Sequence, residues 1–195
     1  HAVLKALGER SLSFNIPKPK INLNGSTIGI SSDGKLVSMA KMIKGRNPNL
    51  ETVEQFYSLG MVVGEITREL GEINIEKNPI YSPCYELEKS YPKCPLNRVI
   101  EFCINPPEDF NKEKNELVEL SSYFIKFKEC IPDLRKLPHQ LIHGDINASN
   151  VLEDENNNIS AILDFEFVAK DLRAMDLAIC LSEAISNKNS DEFKF

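Results

Sequence analysis

Apolar residues recur at helical spacing in two long stretches of the chain. The first follows Asn49, which can cap a helix running from residue 50 or 51 to about Leu70. Its apolar positions are mostly three to four residues apart and comprise Val53, Phe56, Tyr57, Met61, Val63 and Leu70. The second stretch covers residues 108–130 and stops before Pro132. Both patterns predict amphipathic helices that pack against a core.

Shorter apolar segments predict two hairpins. Residues 26–30 and 36–43 flank Ser32-Asp33-Gly34, a strong turn signal. Residues 151–153 and 159–163 are rich in β-branched side chains and flank an acidic, Asn-rich turn at residues 154–158. The sequence therefore predicts strands at both places.

The remaining segments give weaker signals. Residues 2–7 are apolar and Gly8 follows them, which is typical of the end of a helix. Residues 14–19 contain two prolines that favour an extended chain. Residues 71–107 are rich in Pro, Tyr, Asn and charge and show no sustained period, so we expect a surface loop there.

The second predicted hairpin brings oxygen-bearing side chains together. If its strands pair about Asn157, then Asn150 and Asp164 lie opposite each other, with Cβ atoms about 4.5–5.5 Å apart. Two such side chains can share one hard cation such as Mg²⁺. Asp145 lies in the loop just before the first of them, free to face a substrate. The spacing therefore predicts a metal-dependent site.

The bulk properties narrow the class of protein. A chain of 195 residues with 42% hydrophobic and 27% charged residues is ordinary for a globular domain or two small lobes. A net charge of −6 disfavours nucleic acid or an anionic membrane as the main partner. No apolar run approaches the ~20 residues that span a bilayer. Five cysteines without a C-x-x-C pair indicate reduced thiols and a cytoplasmic protein.

The central motifs resemble a known superfamily. His143-Gly144-Asp145-x4-Asn150, followed by Ile162-Leu163-Asp164-Phe165-Glu166, is similar to the aminoglycoside phosphotransferase, choline kinase and homoserine kinase superfamily. This is the small-molecule branch of the protein-kinase-like fold. Glu166 stands where protein kinases have the Gly of Asp-Phe-Gly, and Asp-Phe-Glu is familiar from choline and homoserine kinases. The likeness is close over residues 141–178 and loose over residues 1–186.

This resemblance implies an α+β, bilobal architecture. Residues 1–45 would be the remnant of an amino-terminal β lobe with the hinge, and residues 46–195 a mainly helical lobe with the catalytic hairpin. The hinge that binds adenine through its backbone would fall at Met42, Ile43 and Lys44. The nucleotide lysine and phosphate loop would lie before His1, so Lys5 is not assigned that role. We expect the native chain to extend beyond both ends.

The resemblance also implies an activity. The expected reaction transfers the γ-phosphate of ATP to a hydroxyl of a small metabolite or drug. Asp145 would orient the hydroxyl and accept its proton, while Asn150 and Asp164 would hold Mg²⁺. The candidate acceptors are homoserine, choline-like amino alcohols and aminoglycosides. The Asp-Phe-Glu sequence slightly favours the first two.

Several residues have candidate supporting roles. His143 would brace the loop, as that position does in kinase-like folds. Glu166 would approach the outer coordination sphere of the metal or face a cationic group of the substrate. Asp176 would cap a helix or anchor the loop, and Arg173 would neutralise buried carboxylates or form a surface ion pair. Candidate substrate-side residues within the variable region 71–107 are Tyr81, Tyr85, Glu86 and Glu88.

Two alternatives stay open. The first is a kinase-like protein that has lost catalysis and serves as a binding or structural module, as some spore-coat relatives do. Retention of Asp145, Asn150 and Asp164 argues against it. The second is a metal-dependent hydrolase using His143 and Asp145 as ligands, which ranks last because further ligands at suitable spacing are missing. His139 is interpreted as a surface histidine.

Overall fold

The computed structural model describes residues 1–76 and 79–186. The described helices are α1 (Ala2–Gly8), α2 (Val53–Gly71), α3 (Leu87–Ser90), α4 (Leu96–Ile104), α5 (Lys114–Leu134) and α6 (Met175–Ser186). The described strands are β1 (Gly29–Ile30), β2 (Leu36–Val37), β3 (His139–Ile142), β4 (Val151–Glu153), β5 (Ile159–Ile162) and β6 (Ala169–Leu172). Short 3₁₀ turns occur at Glu108–Glu113, Ala148–Asn150 and Phe165–Phe167. The mixed α+β composition is confirmed.

The strands form antiparallel ribbons of two. The ribbons are β1–β2, β3–β6 and β4–β5. Both predicted hairpins are confirmed, although β1 and β2 each have only two residues. The short length follows from composition, because Asn22, Ser26 and Ser31 bind nearby backbone groups and compete with the ladder.

The β4–β5 hairpin lies between two further extended segments. Asn15 pairs with Ala161 on the β5 side, where Asn15 N–H donates to the Ser160 carbonyl at 2.8 Å. Arg46 pairs with Glu153 on the β4 side, where Glu153 N–H donates to the Arg46 carbonyl at 2.8 Å. Each outer edge of the hairpin is therefore paired at one position with another segment, which helps to fix the hairpin in the fold.

Helix α2 begins later than predicted and is capped by a different residue. Thr52, not Asn49, caps it, with Gln55 completing a reciprocal capping box. Leu50 lies between these two candidate caps and has a φ of +52°, which is incompatible with a right-handed helix at that position. The helix face that reaches the core carries Leu59, Val62, Val63, Ile66 and Leu70. The predicted apolar stripe was partly wrong, because Val53, Tyr57 and Met61 are exposed.

The region around α5 also corrects the sequence analysis. A 3₁₀ turn precedes α5, and the helix continues through Pro132 to Leu134 instead of ending before the proline. The predicted loop at residues 71–107 contains α3 and α4. Helix α4 packs on α5 and buries Leu96 and Cys103. It was missed because nine residues are too few to show a sustained helical period.

One hydrophobic core joins α1, α2 and the β4–β5 hairpin. Its most deeply buried side chains are Leu7, Leu59, Ile66, Leu70, Ile146, Val151 and Ile162. Ile146 directly follows Asp145 and Val151 directly follows Asn150, so each of these two candidate site residues has a fully buried neighbour that fixes its backbone. In the described part of the chain, none of the helices has the length and apolarity needed to cross a membrane.

A buried carboxylate links three segments around this hairpin. Glu153 is 3% exposed and accepts hydrogen bonds from Gln55 Nε2 at 2.8 Å and Arg46 Nε at 2.7 Å. Arg46 also donates to Asn157 Oδ1 at 2.7 Å. Burial of a charge is costly unless partners compensate for the lost water. Glu153 therefore ties the start of α2 and the segment at Arg46 to the hairpin.

Replacing Glu153 with Ala should lower the free energy of unfolding by about 1–3 kcal/mol, because Gln55 Nε2 would stay buried without its acceptor. Urea denaturation measures this change. Glu155→Ala is the matched control, since Glu155 is exposed in the adjoining turn and its loss should cost about 0.5 kcal/mol or less. Equal losses in the two variants would contradict the role given to Glu153.

Candidate active site

Asp176 anchors the loop between β3 and β4 to helix α6. This carboxylate is fully buried at the start of α6. Its oxygens accept the backbone N–H groups of His143 at 2.9 Å and of Gly144 at 2.8 Å. Burial raises the pKa of Asp176, while the two N–H donors and His143 act against that rise. Asp176 therefore holds the beginning of the loop on α6.

His143 connects the loop to the segment that follows β5. Its fully buried ring places Nε2 2.8 Å from the Leu163 carbonyl, and Nδ1 accepts the Asp145 N–H at 3.2 Å. These partners assign the proton to Nε2 and leave the ring neutral. Burial lowers the pKa of His143. The ring also packs edge-on against Phe165, with centroids 4.6 Å apart.

Two amide side chains hold the carboxylate of Asp145. Asn150 Nδ2 donates to Asp145 Oδ2 at 2.6 Å, and Asn147 Nδ2 donates to Asp145 Oδ1 at 2.9 Å. Asn147 Oδ1 also accepts the Ser149 N–H at 2.9 Å and caps the 3₁₀ turn that ends at Asn150. Sequence analysis missed Asn147, although an Asn directly before Ala-Ser-Asn is typical of a capping position.

The register of β4–β5 differs from the prediction by one residue. Val151 pairs with Ile162. Nearer the turn, a bulge at Ser160 changes the pairing by one residue between Leu152 and Glu153. Asn150 therefore lies opposite Leu163, whose N–H donates to the Asn150 carbonyl at 2.7 Å. The predicted direct opposition of Asn150 and Asp164 was wrong. The turn is centred on residue 156 and not on Asn157, since Glu153 pairs with Ile159, and the bulge restores one of the two residues of offset that result.

Asp164 nevertheless lies immediately beyond this pair. It has a left-handed backbone, with φ 56° and ψ 71°, which ends β5 and begins the turn Phe165–Phe167. Non-glycine residues in this region are uncommon, although Asp tolerates it better than most. Charges on Asp145, Asp164 and Asp176 all act on the buried ring of His143. The structure therefore groups these three acids around one histidine.

The free oxygens of this group suit a hard cation. In the described residues, neither Asn150 Oδ1 nor the Asp164 carboxylate has a hydrogen-bond or ion-pair partner. No cluster of three His, Cys, Asp or Glu side chains able to bind a metal occurs within residues 1–76 and 79–186. One amide and one carboxylate fit Mg²⁺, which takes few protein ligands and completes its shell with phosphates and water.

Other predicted site residues lie around this group. Glu166 is exposed on the turn after Asp164. Arg173 is exposed and donates to the Gln140 side-chain oxygen at 2.8 Å, so its bond goes to an amide and not to a buried carboxylate. Asn47, which was not predicted, donates to the carbonyls of Ala148, Ser149 and Val151 at 3.1, 2.8 and 3.0 Å. It fixes the loop from the other side.

The hinge candidates form an irregular segment beside the same hairpin. Met42 is exposed, Ile43 is half-buried and Lys44 is exposed. Gly45 then brings the backbone against β4, where an added Cβ would lie 2.8 Å from the Leu152 Cβ. The three residues thus precede a strand-like contact with β4, the strand that directly follows Asn150. Their binding of adenine stays a prediction.

The candidate substrate-side residues fall into two environments. Tyr85 is buried, and its hydroxyl lies 2.8 Å from His139 Nε2, so His139 is a structural partner and not a free surface histidine. Tyr81 packs against Phe167, with ring centroids 5.2 Å apart. Glu86 pairs with Lys89, whereas Glu88 is exposed. Only Tyr81 of these lies beside the loop that follows Asp164.

Comparisons with known proteins give a family and a fold for the chain. A family model described as "Phosphotransferase enzyme family" matches residues 1–194. No curated protein matches the chain. Among solved structures, amicoumacin kinase in complex with AMP-PNP, Ca²⁺ and its ligand is 16% identical, with a TM-score of 0.65. The match covers 94% of this chain and 51% of that protein.

Two further structures show the same likeness. Aminoglycoside 2′-phosphotransferase-IIIa, in a GDP complex, is 19% identical, with a TM-score of 0.60 over 89% of this chain and 56% of its own. An aminoglycoside phosphotransferase from Streptomyces rimosus, bound to ADP and streptomycin, is 16% identical, with a TM-score of 0.59 over 98% and 68% of the two chains. The chain spans about half the length of the first two structures. These likenesses establish a protein-kinase-like fold.

Gly144→Ala should destabilise the protein by about 1–3 kcal/mol. Gly144 has a φ of +85°, and an added Cβ would lie 2.5 Å from the Phe167 carbonyl oxygen. Thermal denaturation measures the change. Gly60→Ala is the control, because that helical position has open space around it and should gain about 0.5–1 kcal/mol. A Gly144→Ala protein as stable as the native one would contradict the close approach.

Stability should fall as the pH drops below the ordinary histidine pKa of 6.5. The unfolded chain then binds a proton at His143, whereas the buried native ring, with its lowered pKa, stays neutral. His143→Gln keeps a donor for the Leu163 carbonyl but does not titrate. Urea denaturation between pH ~7.5 and ~5.5 should therefore show a steeper loss for the native protein than for the variant. Parallel pH profiles would contradict this assignment.

Proposed function

The chain belongs to the phosphotransferase enzyme family, and from this premise we propose that it transfers the γ-phosphate of ATP to a hydroxyl group of a small molecule. The observation that supports this most is the grouping of Asp145, Asn150 and Asp164. Asn150 donates to the Asp145 carboxylate, and the Asn150 carbonyl accepts the N–H of Leu163, the residue directly before Asp164. Such positioning is most of what phosphoryl transfer asks of a protein.

In the proposed reaction Asp145 acts on the acceptor. Its carboxylate accepts a hydrogen bond from the acceptor hydroxyl and takes the proton as the oxygen attacks phosphorus. The new oxygen–phosphorus bond forms while the bond from the γ-phosphorus to the bridging oxygen of ATP breaks, and ADP leaves. Asn147 Nδ2 keeps the Asp145 carboxylate oriented by donating a hydrogen bond to its Oδ1. A fixed carboxylate loses little entropy in reaching the reactive geometry.

Asn150 and Asp164 are proposed to hold Mg²⁺. A Mg²⁺ ion held by these two side chains would offset the negative charge that develops on the nucleotide phosphates during transfer. Asn150 can serve both parts of the site, because its Nδ2 donates to Asp145 while its Oδ1 faces no described partner. Glu166 is proposed to assist from the outer coordination sphere of the metal. An inactive binding module is disfavoured, because such a module would not need these free oxygens.

We also propose the remaining assignments that the resemblance implies. Residues 1–45 would belong to the nucleotide-side β lobe and residues 46–195 to the helical lobe. Met42, Ile43 and Lys44 would bind adenine through their backbone. The five cysteines, which include no C-x-x-C pair, support a cytoplasmic location, where ATP is abundant. Homoserine-, choline- and aminoglycoside-like molecules stay the acceptor candidates.

Asp145→Asn should lower the turnover of ATP with an accepted acceptor by about 10²–10⁴-fold, while Mg²⁺-dependent nucleotide binding is retained. Asp164→Asn should instead weaken Mg²⁺-dependent binding of AMP-PNP. Coupled ADP release and isothermal calorimetry measure the two effects. The control is Asp133→Asn, an exposed acid on α5, which should change neither. Normal turnover by Asp145→Asn would remove its assignment as base.

A further inference from the structure

The side chain of Asn47 holds the backbone on both sides of Asn150. Its Nδ2 donates to the carbonyl oxygens of Ala148, Ser149 and Val151, at 3.1, 2.8 and 3.0 Å. An amide nitrogen carries only two hydrogens, so at least one of them is shared between two of these carbonyls. Since Ser149 and Val151 are the chain neighbours of Asn150, the turn is held both before and after that residue.

The other contacts of Asn150 set the direction of its side-chain oxygen. Its carbonyl accepts the Leu163 N–H at 2.7 Å, and its Nδ2 donates to the Asp145 carbonyl at 2.9 Å and to Asp145 Oδ2 at 2.6 Å. Because the oxygen and the nitrogen of an amide are fixed on opposite arms of one plane, the position of Nδ2 also determines the position of Oδ1. Oδ1 is the atom proposed to bind Mg²⁺, so its direction depends on how firmly the turn is held.

The backbone of Asn47 is itself fixed on both sides. Directly before it, Arg46 and Glu153 exchange two backbone hydrogen bonds, of 3.2 and 2.8 Å. Directly after it, Pro48 is buried, and a proline keeps the preceding residue extended. Little conformational freedom is therefore left to lose when the Asn47 side chain binds the three carbonyls.

Asn47 also joins the nucleotide side of the proposed site to the metal side. It follows the hinge candidate Lys44 by three residues. Gly45, between them, brings the backbone so close to β4 that an added Cβ would lie 2.8 Å from the Leu152 Cβ. The segment at residues 42–47 therefore extends from the proposed adenine contact to the turn that ends at Asn150.

We propose that Asn47 is a positioning residue for the metal site. By holding the three carbonyls, it keeps Oδ1 of Asn150 directed at the ion, although Asn47 itself contacts neither the ion nor the reacting groups. The inference rests on the proposed function and adds to it a residue outside the motifs at residues 143–150 and 162–166. Loss of a group that orients a metal ligand typically costs about 10–100-fold in metal affinity.

The test compares the affinity for AMP-PNP with and without Mn²⁺, measured by calorimetry in the absence of any acceptor. The ratio of the two affinities, called here the Mn²⁺ enhancement, reports the contribution of the metal. Asn47→Ala and Asn47→Asp should each lower this enhancement by about tenfold or more, because neither new side chain donates to the carbonyls. The affinity without Mn²⁺ should stay within about twofold of the native value.

Two control variants separate positioning from general destabilisation. Asn49→Ala removes an exposed amide two residues further along the chain. Ile66→Val shortens a fully buried side chain of α2 and so lowers stability at a core position. Both should keep the Mn²⁺ enhancement within about twofold of the native value.

A double variant gives a sharper test of the route through Asn150. Asn150→Ala alone should lower the Mn²⁺ enhancement, because it removes the proposed ligand atom. If Asn47 acts through Asn150, adding Asn47→Ala to this variant should change the enhancement by less than about twofold further. A side chain that only stabilised the fold would show its full effect in both backgrounds.

The outcomes separate this inference from the proposed function. If the native protein shows no Mn²⁺ enhancement, the proposed function fails and the inference fails with it. The positioning role alone is overturned if either Asn47 variant keeps the enhancement, if Ile66→Val loses as much, or if the effect of Asn47→Ala persists without Asn150. Loss of the enhancement in both Asn47 variants, with no further loss in the Asn150→Ala background, supports the inference.

Discussion

Two hydrogen bonds, donated by backbone N–H groups to one buried carboxylate, fix the geometry of the candidate site. Asp176 is inaccessible to water and accepts both bonds from consecutive residues, His143 and Gly144. A buried acid retains its place only while such donors compensate for the lost solvent. Because α6 carries Asp176, the packing of that helix determines where Asp145 points.

A second constraint links that loop to the segment that contains Asp164. The neutral ring of His143 contacts the Leu163 carbonyl, and the Asn150 carbonyl accepts the Leu163 N–H. The residue next to Leu163 is Asp164, so these two bonds position its carboxylate relative to Asp145. The chemistry proposed for this chain therefore depends on one histidine that takes no part in the reaction. Its burial, not its basicity, makes it useful.

The sequence allowed prediction of the site residues but not of their detailed geometry. Asp145, Asn150 and Asp164 stood out because their spacing and the hairpin between them are local features. The bulge at Ser160 could not be predicted, because its carbonyl is held by Asn15, 145 residues away along the chain. The burial of Asp171 was equally hidden, since it depends on tertiary contacts such as the hydrogen bond from the Cys84 N–H.

Local competition also limited the prediction of helices. Asn49 and Thr52 are both good caps, and the reciprocal bond to Gln55 decided between them. The helix at Leu96–Ile104 is too short for its period to be recognised and is stabilised by packing on α5. By contrast, the hairpin around Asp33-Gly34 carries a strong local turn signal, and its predicted position was confirmed.

Paramagnetic broadening by Mn²⁺ tests the central claim most directly, because it locates the ion without requiring a known acceptor. With Mn²⁺ and AMP-PNP added in place of Mg²⁺, the backbone amide resonances of Asn150 and Asp164 should broaden first. The resonance of Cys103, buried in the α4–α5 pair, should stay sharp. Broadening centred elsewhere, or none at these two residues, would contradict the account of this site as a nucleotide-metal centre.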